Sequence, residues 1–163
     1  MMWLYHFCVW LQHTSVGVNV SESLWLFPLI ETVHIWGIIC LVGCTGVLDL
    51  RLLGLILTNE RITELHHRLI KWTWFGFAVM ITSGSFMFAS EATKMYENGA
   101  FRLKMLLIVA AGLNAMVFEL IASRNIANWD IGRSAPILGK ICACFSLVAW
   151  VGVIAAGRWI AYW

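Results

Sequence analysis

Two ionisable residues, Glu31 and His34, lie three positions apart in the segment LFPLIETVHIWG, residues 26–37. On a helix, this E-x-x-H spacing places a carboxylate and an imidazole on one face, where they can share a proton or bind a metal. A second E-x-x-H, with the sequence ELHH, runs from Glu64 to His67. Pairs of such motifs are typical of di-iron helix bundles, so the fold must decide whether the two motifs meet.

The composition indicates an integral membrane protein. Of the 163 residues, 61% are hydrophobic and 12% are charged, whereas a soluble domain has about 25% charged residues. The net charge of +2, with no Lys/Arg cluster, gives no indication of a nucleic-acid partner. The first residues, MMWLYHFCVWLQH, have neither a basic region nor a small-residue cleavage site, so we expect no signal peptide.

Four runs without Asp, Glu, Lys or Arg approach the about 17–25 residues that a spanning helix needs. They are Thr32–Leu48, Trp72–Ser90, Met105–Phe118 and Ile141–Gly157. Because lipid offers the backbone no hydrogen-bond partners, such runs must be helical. We therefore predict an all-α membrane protein. An N-terminal interfacial amphipathic segment over 1–20 precedes four transmembrane helices over 21–163, arranged as an up-down bundle.

The charged residues predict how this bundle is oriented. The side of the first and third connections carries seven cations: Arg51, Arg61, Arg68, Lys71, Arg124, Arg133 and Lys140. The other side carries four: Lys94, Arg102, Lys104 and Arg158. By the positive-inside rule, both termini lie on the periplasmic side of a bacterial inner membrane. The two E-x-x-H motifs then lie at opposite membrane surfaces, about 30 Å apart, which excludes a shared di-iron site.

Helical periodicity predicts which faces point into the bundle, because polar side chains in lipid seek the interior. The first helix has a stripe of Glu31, His34, Ile38, Leu41, Thr45 and Asp49. The second presents Met80, Ser83, Met87, Ser90 and Glu91, and the third Lys104, Ile108, Ala111, Ala115 and Glu119. The fourth has the small residues Gly152, Ala156 and Gly157. Ion pairs Asp49–Arg51 and Glu119–Arg124 are expected to close the inner ends.

Within this arrangement His34 is the candidate axial ligand of a b-type haem near the outer surface. Opposite it, the candidates are Met87 and the histidines His6 and His13, which lie seven residues apart on the N-terminal segment.

Three further residues complete the predicted site. Lys104 and Arg158 would neutralise the haem propionates, and Glu31 would contact His34. Two alternatives remain open: a structural Glu31–His34 pair that binds nothing, and a different metal, proton or quinone site.

Five segments carry a resemblance to a known family: PLIETVHIWG, GVLDLRLLGL, KWTWFGFAVMITSGSFMFAS, NGAFRLKMLLIVAAGLNA and AAGRWIAYW. Over residues 10–163 the chain resembles an uncharacterised family of small four-helix bacterial inner-membrane proteins. It is more loosely similar to the copper-resistance D family and to four-helix b-type membrane cytochromes. In those two groups, histidines near helix ends bind copper or haem, so the resemblance implies such a role for His34. Its axial partner would come from the N-terminal segment, Met87 or a second protomer.

The sequence contains no Gly-rich phosphate loop, nucleophile elbow or H-E-x-x-H motif, so we expect no independent hydrolase or transferase. The leading hypothesis is a small redox accessory subunit that binds haem b through His34 and takes part in electron transfer. The alternatives are a cofactor-free structural subunit of a larger membrane complex, and a protein that handles copper or another metal ion. The expected partners are the lipid bilayer and either other membrane subunits or further copies of the chain.

Overall fold

The computed structural model describes residues 2–122 and 135–162. Seven α-helices lie in that part of the chain: α1 Met2–Gln12, α2 Ser15–Glu22, α3 Leu26–Leu52, α4 Ile62–Ser90, α5 Ala92–Glu97, α6 Gly99–Val117 and α7 Ile137–Trp159. A π-helical turn, Phe118–Ala122, continues α6, and a 3-10 turn, Ile160–Tyr162, continues α7.

Four of these helices are long and apolar enough to cross a membrane: α3, α4, Gly99–Leu120 and Ile137–Tyr162. Each of them contains one of the four apolar runs found in the sequence and exceeds the about 20 residues that a span requires. The prediction of an all-α, multi-pass membrane protein with four spanning helices is confirmed.

The start of α6 and the end of α7 lie at the same end of the bundle. The Asn98 side chain connects them, because its Oδ1 accepts a hydrogen bond from the Phe101 backbone N–H and its Nδ2 donates to the Ile160 carbonyl, 3.2 Å away. The start of α3 and the end of α4 lie at this end too, and we call it the termini end. We call the other end, which carries the loop between α3 and α4, the opposite end.

The spanning helices form two close pairs, α3 with α4 and α6 with α7, and α3 also packs against α7. The first pair crosses at Gly76 of α4. A Cβ added to Gly76 would lie 2.6 Å from the Leu41 backbone nitrogen and 3.1 Å from the Gly37 carbonyl oxygen. Because those atoms belong to the backbone, only glycine permits this approach, as is common where membrane helices pack through small residues.

The opposite end is closed by an apolar cluster. It consists of Leu52, Ile62, Phe118, Ala135, Cys142 and Ala143, with Leu48 and Leu53 packed against it. These residues lie on α3, α4, the π-helical turn and α7, or just outside those elements. One cluster therefore joins the four spanning helices.

The loop after α3 is held by Arg51, which is 4% exposed. Its Nη2 donates to the carbonyls of Thr58 and Glu60, at 3.2 and 2.8 Å, and its Nε also donates to Glu60. The expected Asp49–Arg51 ion pair is therefore wrong, since the guanidinium turns toward loop carbonyls that have no partner within a helix.

The second expected ion pair involves Arg124, which lies outside the described residues. The carboxylate of Glu119 contacts His66 of α4 instead, with Nε2 and Oε1 2.8 Å apart. This contact joins α4 to the π-helical turn.

Most of the predicted inward-facing residues are buried or partly buried, including the whole set predicted for the second spanning helix. Glu31 is exposed, because no neighbouring helix covers most of the first two turns of α3. Ala115 on α6 and Glu119 on the π-helical turn are also exposed. The buried face of α6 continues instead from Ala111 through Asn114, whose Nδ2 donates to the Cys142 carbonyl of α7, 3.0 Å away.

The N-terminal helices α1 and α2 dock on the termini end. The Gln12 side-chain oxygen accepts hydrogen bonds from the backbone N–H and the hydroxyl of Thr93. In α2, a Cβ added to Gly17 would lie 2.9 Å from the Ala89 carbonyl of α4. Outside these contacts α1 exposes large apolar side chains, such as Trp3 and Trp10. That residues 1–20 lie in the membrane interface stays a prediction.

Candidate functional site

The His34 side chain is buried where α3 meets α4, in the half of the bundle nearer the termini end. The residue is 9% exposed, and its Nδ1 lies 2.8 Å from the Ser83 hydroxyl of α4. The next residue, Gly84, leaves space for the imidazole ring, since an added Cβ would lie 3.3 Å from Cε1. The ring therefore lies over a small-residue surface on α4.

The hydrogen bonds around Ser83 determine which imidazole nitrogen carries the proton. The Ser83 hydroxyl donates to the Val79 carbonyl, 2.6 Å away, and it has only one hydrogen to give. Its oxygen must therefore accept from Nδ1–H of His34. In the neutral ring this leaves a lone pair on Nε2, and Nε2 makes no hydrogen bond to any residue that the structure describes.

Lys104 of α6 places a cation in the same part of the interior. It is partly buried, it lies close enough to His34 to interact with it electrostatically, and a Cβ added to Gly157 of α7 would lie 3.5 Å from Nζ. Among the described residues no carboxylate forms an ion pair with it. An ammonium inside a spanning helix is costly without a counter-charge, so this position suits an anionic group of a ligand.

The other predicted site residues do not gather around His34. Met87 is partly buried on α4, one helical turn beyond Ser83 toward the termini end. The exposed ones are Glu31, His6, His13 and Arg158. His13, in the turn after α1, forms a hydrogen bond through Nδ1 to the Val9 carbonyl of that helix, 2.8 Å away.

The expected contact between Glu31 and His34 is wrong. The partner of His34 is Ser83 on another helix, and Glu31 faces outward. Sequence periodicity placed Ser83 on the correct face of its helix. It could not pair Ser83 with His34, because periodicity gives no information on how far α3 and α4 are shifted along each other.

The described residues contain no group of three or more His, Cys, Asp and Glu side chains that could hold a metal ion. Haem iron needs fewer protein ligands than a bare metal ion. The porphyrin supplies four ligands, so the chain needs to supply only one or two axial ones. Within the described residues, a buried imidazole whose Nε2 has no hydrogen bond and a nearby cation without an ion pair meet that requirement.

The chain belongs to DUF6644, a family of unknown function, whose sequence profile matches residues 23–163. This membership confirms the resemblance to a family without established activity. No curated protein and no solved structure matches the chain. The looser likeness to the copper-resistance D family and to b-type cytochromes stays a prediction.

Proposed function

We propose that this member of DUF6644 is a small redox accessory subunit of the membrane, which binds one b-type haem through Nε2 of His34. The observation that carries the proposal is the hydrogen-bond chain from His34 Nδ1 through the Ser83 hydroxyl to the Val79 carbonyl. It fixes the tautomer and leaves a lone pair on Nε2. A bound haem would supply a one-electron redox centre, and the subunit would take part in electron transfer.

Ser83 has the role of an outer partner to the proposed ligand. Histidines that bind a metal usually donate their other ring N–H to a fixed acceptor, which orients the ring and raises its basicity. The Ser83 oxygen is such an acceptor because its own hydrogen is occupied by Val79. Since Ser83 is 4% exposed, water does not compete for this bond.

Lys104 supports the proposal through its charge. Its ammonium lies beside Gly157, where it would attract a haem propionate. Met87 is the proposed second axial ligand, because it follows Ser83 by one helical turn on the inner face of α4. A second protomer is the alternative source of that ligand.

The proposal includes a location and partners. The bias of Lys and Arg toward the connections at the opposite end favours a bacterial inner membrane with both termini periplasmic. The proposed haem then lies near the periplasmic surface. An accessory role requires other membrane subunits to exchange electrons with it.

The test is an absorption spectrum of the gently purified protein, compared with the variants His34→Ala and His13→Ala. We expect Soret and α bands in the wild type and in His13→Ala, whose histidine is exposed and hydrogen-bonded to the Val9 carbonyl of α1. We expect His34→Ala to lose both bands. A colourless wild-type protein, or unchanged bands in His34→Ala, would contradict the proposal.

One observation favours a second candidate, a cofactor-free structural subunit. In the most apolar window of Gly99–Leu120 only 11% of the residues are buried, against 22% to 28% in the other spanning helices. This face of α6 would then pack against a helix of a larger complex. Co-purification at fixed stoichiometry with a membrane partner, together with a colourless protein, would favour this candidate over haem binding.

A further inference from the structure

A second buried polar group lies on α3, toward the opposite end of the bundle. Asp49 is 7% exposed. From α7, the Ser146 side chain and the Cys142 thiol lie close enough to interact with its carboxyl group. The apolar cluster that includes Leu52 and Ile62 lies one turn of α3 further toward that end. The carboxyl group is therefore enclosed by the protein, between these two side chains of α7 and the apolar cluster.

One oxygen of this carboxyl group is left without a partner. Oδ2 of Asp49 has essentially no accessible surface and accepts no hydrogen bond within the described part of the chain. Buried polar atoms are nearly always hydrogen-bonded, so an orphaned carboxyl oxygen in a membrane span needs an explanation. Leaving it ionised and unpaired would be very costly in such surroundings.

The polar and charged groups on the neighbouring elements are already engaged. On α3 itself, Arg51 donates to the carbonyls of the following loop. On α4, His66 contacts Glu119. On α6, the Asn114 amide donates to the Cys142 carbonyl. No cation among the described residues faces Asp49 to balance a negative charge.

We infer that Asp49 is a proton-binding site and carries a proton in the resting protein. A neutral carboxylic acid removes the cost of the unpaired charge, and its O–H can donate a hydrogen bond within the protein. The ligand of this site is the proton itself, transferred from hydronium to one carboxylate oxygen with release of water.

This site is independent of the proposed haem site. Asp49 and His34 are fifteen residues apart on α3, which corresponds to about 22 Å along the helix. Leu41, which is 5% exposed, lies between them against Gly76. A colourless protein would therefore leave the inference about Asp49 unaffected.

Infrared spectroscopy tests the inference, because a protonated carboxylic acid has a C=O stretch separate from the bands of carboxylates and amides. The wild-type protein, in micelles of an ester-free detergent such as dodecyl maltoside at neutral pH, is compared with Asp49→Asn and with Glu31→Gln. Glu31 lies on the same helix but is exposed, so it serves as the matched control. We expect the C=O band in the wild type and in Glu31→Gln, and its loss in Asp49→Asn.

Three results would overturn the inference. The first is a wild-type spectrum without a carboxylic-acid band, and the second is a band that persists in Asp49→Asn. The third is failure of Asp49→Asn to fold. A carboxamide reproduces the shape and hydrogen bonding of a neutral acid, so Asn should be tolerated at a protonated site and not where a carboxylate binds a cation.

Discussion

The buried polar groups at the two ends of the bundle differ in their hydrogen bonding. Near the termini end, His34 has a hydrogen-bond partner on α4, and its second ring nitrogen keeps a lone pair. Toward the opposite end, Asp49 has a carboxyl oxygen without a partner among the described residues. Both lie on one stripe of α3, so the helix does not cause the difference. The difference comes from the hydrogen-bond partners that the neighbouring helices offer at each depth of the bundle.

The neighbours also differ between the two levels. His34 depends on contact between α3 and α4, because its partner is Ser83. Asp49 has its neighbours Ser146 and Cys142 on α7. The two groups can therefore be disturbed separately by changing one helix pair at a time.

The largest effect is expected from Gly76→Leu, at the crossing of α3 and α4. The new side chain would collide with backbone atoms of Leu41 and Gly37, which can move only if the helices separate. We expect the free energy of unfolding to fall by about 3 kcal/mol or more, and the contact between His34 and Ser83 to be lost. The measurement is denaturant unfolding in detergent micelles.

Gly43→Leu is the control for that variant. It makes the same change on α3 at an exposed glycine where an added Cβ meets nothing within 4 Å, so we expect a change within about 0.5 kcal/mol. Equal destabilisation by the two variants would show that the crossing at Gly76 is not what holds α3 against α4.

The second prediction concerns the opposite end, where Arg51→Met keeps a long side chain but removes the guanidinium. Its hydrogen bonds to the Thr58 and Glu60 carbonyls are lost. We expect a loss of about 2 kcal/mol in the free energy of unfolding, because hydrogen bonds from charged groups are the stronger ones, and faster proteolysis in the loop. The environment of His34 should not change.

Arg68→Met tests whether any arginine near this end has the same effect. The Arg68 side chain is 74% exposed, and among the described residues its ion pair is a 3.9 Å contact with Glu64. Exposed pairs contribute little, so a change below about 0.5 kcal/mol is expected. If Arg68→Met destabilises as much as Arg51→Met, the loop contacts of Arg51 are not the cause.

The sequence predicted much of this fold, because lipid allows few structures. Uncharged runs of spanning length must be helices, and the stripe from His34 to Asp49 followed from helical periodicity. The prediction that Glu31 faces the interior was wrong, because the exposure of a residue near a helix end depends on whether a neighbouring helix reaches that level. Glu31 shares the stripe, yet most of the first two turns of α3 are exposed.

The partners of the site residues were harder to predict. Asp49 and Arg51 are close in sequence and of opposite charge, yet the guanidinium binds loop carbonyls. Loop geometry, including Gly54 with its φ of 77°, is not encoded in hydrophobic periodicity. The same holds for Ser83, whose pairing with His34 depends on the longitudinal shift between two helices.

The third prediction returns to the termini end. Ser83→Ala removes the acceptor for Nδ1–H of His34 and leaves that buried group unpaired. We expect a loss of about 1 to 2 kcal/mol in the free energy of unfolding. If haem is bound, the α band should shift, because the ring is no longer held in one orientation.

Ser85→Ala is the control, since Ser85 is exposed and donates to the Ile81 carbonyl of its own helix. Equal effects of the two variants would argue against the role of Ser83.

The smallest effect is expected from Gln12→Ala, which tests whether the N-terminal helices are held to the termini end. Without the side-chain oxygen, the backbone N–H and hydroxyl of Thr93 lose their acceptor. A loss of about 1 kcal/mol should act locally, because α1 lies outside the four spanning helices. Amide hydrogen exchange in α1 should then accelerate about fivefold, with no change in the spanning helices.

The control is Asn19→Ala, at an exposed position of α2, which should leave exchange unaltered. Acceleration that extends into α3 would instead mean that this docking supports the bundle itself, and the two ends would then differ in stability as well as in chemistry.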